Sequence, residues 1–337
     1  MDWFERLTGF REDGYRATQD RLEVIGARLR SKVNGRDYGI GKFELVSLGS
    51  LRDRAYVAGG RSGRLKVGVI QGDVRRLHQD DAFRGALFQV ASQFNMLEMV
   101  EPSVTPEDGV TQYQVDRTQG PACAIAAGAA TLYRNYFARV GNRTGQTASH
   151  QLDGLADIGA ALSEQTGQPV QALWEMRNGY ALCRRAGLEA IGHHLAALPP
   201  DELDALRCKL LVGLHRDVEV TDAQGPDHPV VSQLFCSAMP VAYSSLPPRL
   251  WEPFASLILE SAYEATLWAA VENAERGASN VVLLTRLGGG AFGNHDNWID
   301  SAMHRALRLA SDFDLDVRLV SYGPPSPGLL DIASTFG

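Results

Sequence analysis

Four glycines fall within six positions in Gly288-Gly289-Gly290-Ala291-Phe292-Gly293, behind the apolar run Val281-Val282-Leu283-Leu284 and ahead of a helical stretch at 297–311. Buried strand, glycine loop, helix is a restrictive order. Without Cβ atoms, successive amides can turn to one side and donate to phosphate oxygens, and the helix start adds the positive end of its dipole. The plain alternative is a tight strand-to-helix turn, which needs fewer glycines than this.

The rest of the chain alternates in the same way. Apolar spacing predicts helix in residues 1–30, strands at 43–48, 56–58 and 64–70, and a strand at 87–92. Gly59-Gly60 and Gly63 punctuate the early part, and 81–89 reads as a short helix or loop. A Pro-, Asp- and Gly-rich loop (102–120) leads into a small-residue helix from Pro121 to about Phe137. Helices are expected at 151–166, 168–186 and 188–197, with Pro199-Pro200-Asp201 ending one and starting the next. Strands at 209–214, 218–221 and 230–243, a long helix at 253–276, a last strand at 317–321 and a closing Pro324-Pro325 complete the pattern. Buried strands alternating with helices imply a three-layer α/β fold, a mixed sheet between helices, whose ligands sit beyond the C-terminal strand ends. Three such ends carry glycine, Asn or Asp: 70–73, 92–95 and 284–294.

Composition narrows the partners. With 33 Lys+Arg against 40 Asp+Glu the net charge is −7, which argues against a nucleic-acid coat or a polybasic membrane binder. No apolar run approaches the roughly 18 residues that span a bilayer; the stretch from Ala122 to Leu132 is short and interrupted by glycine. The acidic start Met-Asp-Trp-Phe-Glu-Arg has no signal-peptide core, so a cytoplasmic protein is expected. Cys123, Cys183, Cys208 and Cys236 form no tight pair, so they read as reduced thiols and not as a zinc site. His193-His194 read as surface or packing residues, and the His295-Asp296 pair is too little for a metal site; no metal is assigned.

Two further elements recur beside the glycine loop. Gly120-Pro121-Ala122-Cys123-Ala124-Ile125 opens a helix and offers a second edge of amides, or alternatively a close packing surface. In Val69-Ile70-Gln71-Gly72-Asp73-Val74 a carboxylate follows a strand and a glycine, placed either to accept from an exocyclic amine or to cap the next helix.

The order strand-Gln-Gly-Asp-Val (67–74), strand-Gln-Phe-Asn (87–95), glycine-rich helix start (120–130) and strand-Gly-Gly-Gly-Ala-Phe-Gly-Asn (281–294) resembles a macrodomain, the ADP-ribose-binding fold. The resemblance covers 65–140 and 205–323 of one expanded domain (1–337), leaving 1–64 as an N-terminal extension and 141–204 as a helical insertion. Gln93-Phe94-Asn95 and Ser237-Ala238-Met239-Pro240-Val241 are similar to the branch with bacterial-effector hydrolases that act on ADP-ribosylated ubiquitin. The resemblance implies that Asp73, with Val74 beside it, meets the adenine amine. It further implies that Phe292 lies along the proximal ribose or pyrophosphate and that the amides of Gly288, Gly289, Gly290, Ala291, Phe292 and Gly293 hold the diphosphate. Asn95 would point at the distal ribose, with Phe94 among the binding residues, Gly120, Ala122 and Cys123 as the second edge, and Asn294 and Asp296 after the loop.

Many hydrolytic macrodomains carry an acid at the glycine-rich helix start, where this chain has Ala122. The candidate acids are therefore Asp116, Asp217, Asp227 and Asp296, with His215 as an orienter; Asp116 and Asp217 rank first as catalytic groups. Each has a plain alternative: a loop ion pair for Asp116 beside Arg117, a solvent-facing strand residue for Asp217, a turn for Asp227, a helix cap for Asp296. Two carboxylates near one anomeric carbon suit glycosidic hydrolysis, one activating water and one steadying the oxocarbenium-like transition state. The expected function is removal of mono-ADP-ribose from a modified protein, with an arginine linkage and ubiquitin among the substrates the resemblance implies. ADP-ribose is then a ligand and no cofactor is needed. The alternative is a non-catalytic ADP-ribose reader.

Overall fold

The structure, a computed structural model, describes every residue except 58, 60 and 61. Its centre is a seven-stranded sheet of β1 (Lys42–Ser47), β2 (Lys66–Gln71), β3 (Leu87–Ala91), β4 (Leu211–Glu219), β5 (Val230–Cys236), β6 (Val281–Leu284) and β7 (Asp316–Ser321). The spatial order is β1-β4-β5-β3-β6-β7-β2. β4 is antiparallel to both neighbours, and the pairs from β5 to β2 are parallel.

Period-two alternation sorts the two faces. Phe88, Val90, Val231, Phe235 and Leu283 share a core with Cys123, Ala126, Ala127 and Ala130. These small residues belong to α2 (Gln119–Ala126), α3 (Gly128–Tyr136) and the Ala127 junction between them, and α2 packs beside α1 (Val74–Gln79). The alternate residues Leu87, Leu234, Cys236, Val282 and Leu284 join the larger core with α4 (Pro248–Glu275) and α5 (Asp296–Leu309). The result is the expected three-layer α/β arrangement. No helix of the described residues is long and apolar enough to cross a membrane.

On the α4 side one buried carboxylate ties four segments together. Glu264 accepts from Arg52 Nε (2.9 Å), Arg305 Nη1 (2.6 Å) and Trp268 Nε1 (2.9 Å), and Arg52 also pairs with Asp204 at 2.6 Å. The helices Leu48–Val57 and Pro200–Arg207 are thereby clamped to α4 and α5.

Several local expectations are corrected. Residues 1–30 hold two short helices, Trp3–Thr8 and Tyr15–Asp20, then a hairpin of Leu22–Ile25 with Arg28–Ser31, because Gly26 supplies the left-handed turn. Tyr56 and Val57 end the helix Leu48–Val57 instead of forming a strand; Ala58 and Gly60 lie outside the described residues. The helix expected at 168–186 is a short Val170–Leu173 helix and a hairpin, Trp174–Arg177 with Tyr180–Cys183. Its turn is Asn178-Gly179, both at positive φ, the residue pair that two-residue hairpins favour. The strand from 230 stops at Cys236, and a helix, Pro327–Phe336, follows the prolines taken as the end.

The sheet also fixes where a ligand can enter. β3 pairs with β6 only at Leu87 and Phe88, so the two strands splay toward their C-terminal ends. From β3 the chain continues to β4 on one side of the sheet, and from β6 to β7 on the other. This divergence is the topological switch point at which open α/β sheets take their ligands.

Candidate active site

A two-lobed groove opens at that splay. The first lobe is lined by Gln93 and Glu98 after β3, Gly120 of α2, Ala238 after β5, the loop residues Gly288, Gly290, Ala291 and Phe292, and the aromatic rings of Tyr180 and Tyr243. The second lobe is lined by Gly72, Asp73 and Val74, by Ala122 and Ile125 of α2, and by Tyr322 after β7. Asp116, Thr118, Gln119 and Thr285 line both, forming the seam. The glycine loop and the residue-73 carboxylate, over two hundred positions apart, thus border one groove.

Gln119 explains how the splayed edge is satisfied. Its side chain accepts from Ala91 N (2.8 Å) and donates to Gln89 O (2.8 Å), standing in for the missing strand neighbour. Gln89 Oε1 in turn accepts from Thr285 N at 3.1 Å. Gly120 must lack a side chain, because a Cβ there would collide with the Ala91 carbonyl and crowd Glu98. The small residues at the α2 start therefore serve close packing onto β3, and this packing brings the helix N-terminus to the groove.

The glycine loop is held from behind. Leu287 N donates to Tyr263 Oη (2.8 Å), Asn294 N to Gly288 O (2.9 Å) and Asn294 Nδ2 to Met239 O (2.8 Å). Gly288 sits at φ 74 with no room for a Cβ beside Ala238. Among the described residues no acceptor takes the amides of Gly288, Gly290, Ala291 and Phe292, which is what an anion-binding loop requires. The Phe292 ring closes the first lobe with Tyr180 (5.4 Å between centroids) and Tyr243 (5.7 Å).

Glu98 is the chemically distinctive group. It is 2% exposed, and neither carboxyl oxygen has a hydrogen-bond partner among the described residues. Burial pushes its pKa up from an ordinary 4.5 to about 8; Arg134 opposes the rise and the Asp116 charge adds to it. A value near 8 favours the protonated form at neutral pH, and the residue lines the first lobe. The sequence reading missed it, along with Tyr180, Tyr243, Gln119 and Tyr322. A signal was present: Glu98 is the one acid in the apolar run Met96-Leu97-Glu98-Met99-Val100 directly behind a strand end.

Of the acids proposed from sequence, Asp116 lies at the seam, where its Oδ1 accepts from Thr118 N at 2.8 Å. The others lie elsewhere. β4 runs against the parallel strands, so its C-terminal part carries Asp217 to the opposite end of the strands from the groove, where it pairs with Arg276 at 2.8 Å. Asp227 is solvent-exposed and pairs with Arg84 at 2.9 Å. His215 is buried in mid-strand against Phe43 and Arg134 and does not reach the groove.

Among the expected ligand contacts, Asp73, Val74, Gly120, Ala122, Gly288, Gly290, Ala291 and Phe292 line the lobes. Phe94 and Asn95 instead turn into the core, Asn95 donating to Gln151 and accepting from Leu97 N. Cys123 is buried under the sheet, its carbonyl accepting from Gln233. Gly289, Gly293 and Asn294 build the loop without facing either lobe, and Asp296 pairs with Arg286 at 2.7 Å. Among the described residues no three His, Cys, Asp or Glu side chains are grouped to hold a metal ion.

Asp73 both lines the second lobe and caps α1, accepting from Arg75 N at 2.9 Å. Asp73→Asn keeps an acceptor for the cap and removes the charge. It is expected to leave the melting temperature within a degree or two and to weaken ADP-ribose binding by about 1–3 kcal/mol, the scale of a charge-assisted hydrogen bond. Calorimetric titration checks this; unchanged affinity would take Asp73 out of the expected ligand contacts.

No protein-family model matches the chain, and no curated protein matches it. Solved structures similar to it include poly(ADP-ribose) glycohydrolase from Thermomonospora curvata, at 13% identity and TM-score 0.45 over 96% of each chain. The same enzyme from Deinococcus radiodurans in complex with ADP-ribose is similar at 12% identity and TM-score 0.46, over 87% of this chain and 93% of that one. The Thermomonospora curvata enzyme bound to the inhibitor ADP-HPD is similar at 13% identity and TM-score 0.43, over 95% of each chain.

Proposed function

We propose that this protein is a hydrolase that binds ADP-ribose along the two-lobed groove and cleaves the glycosidic bond of its distal ribose to a modified protein. The observation that carries the reading is Glu98: a buried carboxyl with no hydrogen-bond partner among the described residues, its pKa raised by burial, in the same lobe as a loop whose amides at 288 and 290–292 have no acceptor there. A binding pocket has no need of a carboxyl held in that state, whereas acid catalysis of glycoside cleavage does.

In this reading adenine occupies the second lobe between Asp73 and Tyr322, and the diphosphate lies on the amides of Gly288, Gly290, Ala291 and Phe292. The distal ribose reaches Glu98. The carboxyl gives its proton to the departing atom as the bond from the anomeric carbon breaks. Asp116 supports the oxocarbenium-like charge, water adds to the anomeric carbon, and the proton it sheds restores Glu98. The motif resemblance to macrodomains supports mono-ADP-ribose as the unit removed; ubiquitin as the carrier and arginine as the linkage rest on that resemblance alone.

A reader without turnover is the second reading, favoured by Ala122 standing where many hydrolytic macrodomains have an acid. Incubation with a panel of proteins ADP-ribosylated through ester, serine and arginine linkages separates the two. Release of free ADP-ribose from at least one supports the hydrolase. Tight ADP-ribose binding with no release from any leaves the reader.

A further inference from the structure

Beneath the first lobe lies a cation that the proposed reaction leaves unassigned. Arg134 of α3 is fully buried, and among the described residues no carboxylate lies within ion-pair distance of it. A buried guanidinium is costly unless its donors are met. Here they meet neutral groups: Nε donates to Met96 O (3.1 Å), Nη2 to Thr131 Oγ1 (3.0 Å) and Nη1 to His215 Nδ1 (3.3 Å). The guanidinium also sits 3.7 Å from the centroid of the Phe235 ring.

Two of these contacts bear on Glu98. Met96 is a non-glycine residue at φ 62, a turn that costs energy and persists only when its surroundings enforce it. It stands two residues before Glu98 in the loop behind β3. The Arg134 bond to its carbonyl fastens that turn to α3, and Gln146 adds to the clamp by donating to Asn95 O and Arg134 O. The charge reaches Glu98 as well, since Arg134 opposes the rise that burial imposes on the carboxyl.

We infer that Arg134 is a positioning residue for Glu98: it enforces the Met96 turn from which Glu98 reaches the wall of the first lobe, and its charge supports the carboxylate left when the proton departs. The second half rests on the hydrolase reading above. The proton passes from Glu98 to the departing atom, and Arg134 exchanges no atom.

The groups around this pair leave Arg134 as the cation. From β4, His215 stays neutral, held well below its ordinary value by burial and by Arg134 itself. From α2, Cys123 is pushed well up by burial, and so is Tyr113, whose hydroxyl accepts from Glu98 N. Asp116, at the seam, is the anion that opposes Arg134.

The test uses the full chain with Arg134→Met, Arg134→Gln and Arg134→Lys. The Glu98 carboxyl is titrated by carbon-13 NMR, and ADP-ribose release is followed against pH. In the neutral variants the carboxyl midpoint is expected to rise by about one unit, and the alkaline limb of kcat to move with it. Arg134→Lys keeps the charge and loses the fork, so its midpoint stays near wild type while kcat falls several-fold at unchanged KM. A folded neutral variant with an unmoved midpoint overturns the electrostatic half. A lysine variant with wild-type kcat overturns the positioning half, even if neither neutral variant folds. The titration needs no substrate, so it still decides the charge effect if the protein proves to hydrolyse nothing.

Discussion

Replacing Glu98 by Gln is expected to lower ADP-ribose release by a factor of about a hundred to ten thousand and, in the same molecule, to make the fold more tolerant of alkaline pH. The first effect follows from removing the proton donor while keeping its shape, so ADP-ribose affinity should change little. The second follows from linkage. The folded-state value, about 8, lies above the ordinary 4.5, so the folded protein binds the extra proton between those limits. That contribution is fully present below pH 4.5 and is lost as pH rises through 8. Glutamine does not titrate. The gap between variant and wild type should therefore move in the variant's favour from pH 5 to pH 9, by about 4 kcal/mol. Urea unfolding at the two pH values reads this directly. A gap that stays constant would mean that Glu98 is ionised in the folded protein and is no proton donor.

The largest purely structural effect is expected at Glu264. Its carboxylate is 1% exposed and takes bonds from Arg52, Arg305 and Trp268. Glu264→Ala strands two guanidinium groups and an indole N–H in or near the core, at a cost of about 3–5 kcal/mol. Glu264→Gln keeps one acceptor and should cost roughly half as much. The loss falls on the joint between the helices Leu48–Val57 and Pro200–Arg207 and the pair α4 and α5, away from the groove. Remaining folded molecules should thus bind ADP-ribose with unchanged affinity. A loss below about 1 kcal/mol would show that Arg52 and Arg305 are satisfied by Asp204 and water alone.

What the sequence made legible was whatever depends on neighbours in the chain. The glycine loop, the Gly72-Asp73 strand end and the Gly120 helix start are each written in a few consecutive residues, and the sheet brings them to one groove. The misplaced residues depend on register and direction. Asp217 ranks as a catalytic group by sequence, but the antiparallel run of β4 carries it to the wrong end of the strands. Asn95 follows the right strand end, yet Leu97 and Gln151 hold its side chain in the core. Tyr180 was hidden for a different reason: apolar spacing at 168–186 imitates a helix, and the Asn178-Gly179 turn that breaks it into a hairpin was overlooked. Glu98 stands out in sequence only as an acid in an apolar run; the burial and lack of a partner that give it its chemistry are not properties of sequence.

The central claim is that one groove orients ADP-ribose with its distal ribose on Glu98. A crystal structure of the Glu98→Gln variant soaked with ADP-ribose measures this most directly. The expected density places adenine beside Asp73 and Tyr322, the diphosphate on the amides of Gly288, Gly290, Ala291 and Phe292, and the anomeric carbon within about 4 Å of the residue-98 side chain. Ligand bound in the opposite sense, or with its distal ribose directed away from residue 98, would contradict it.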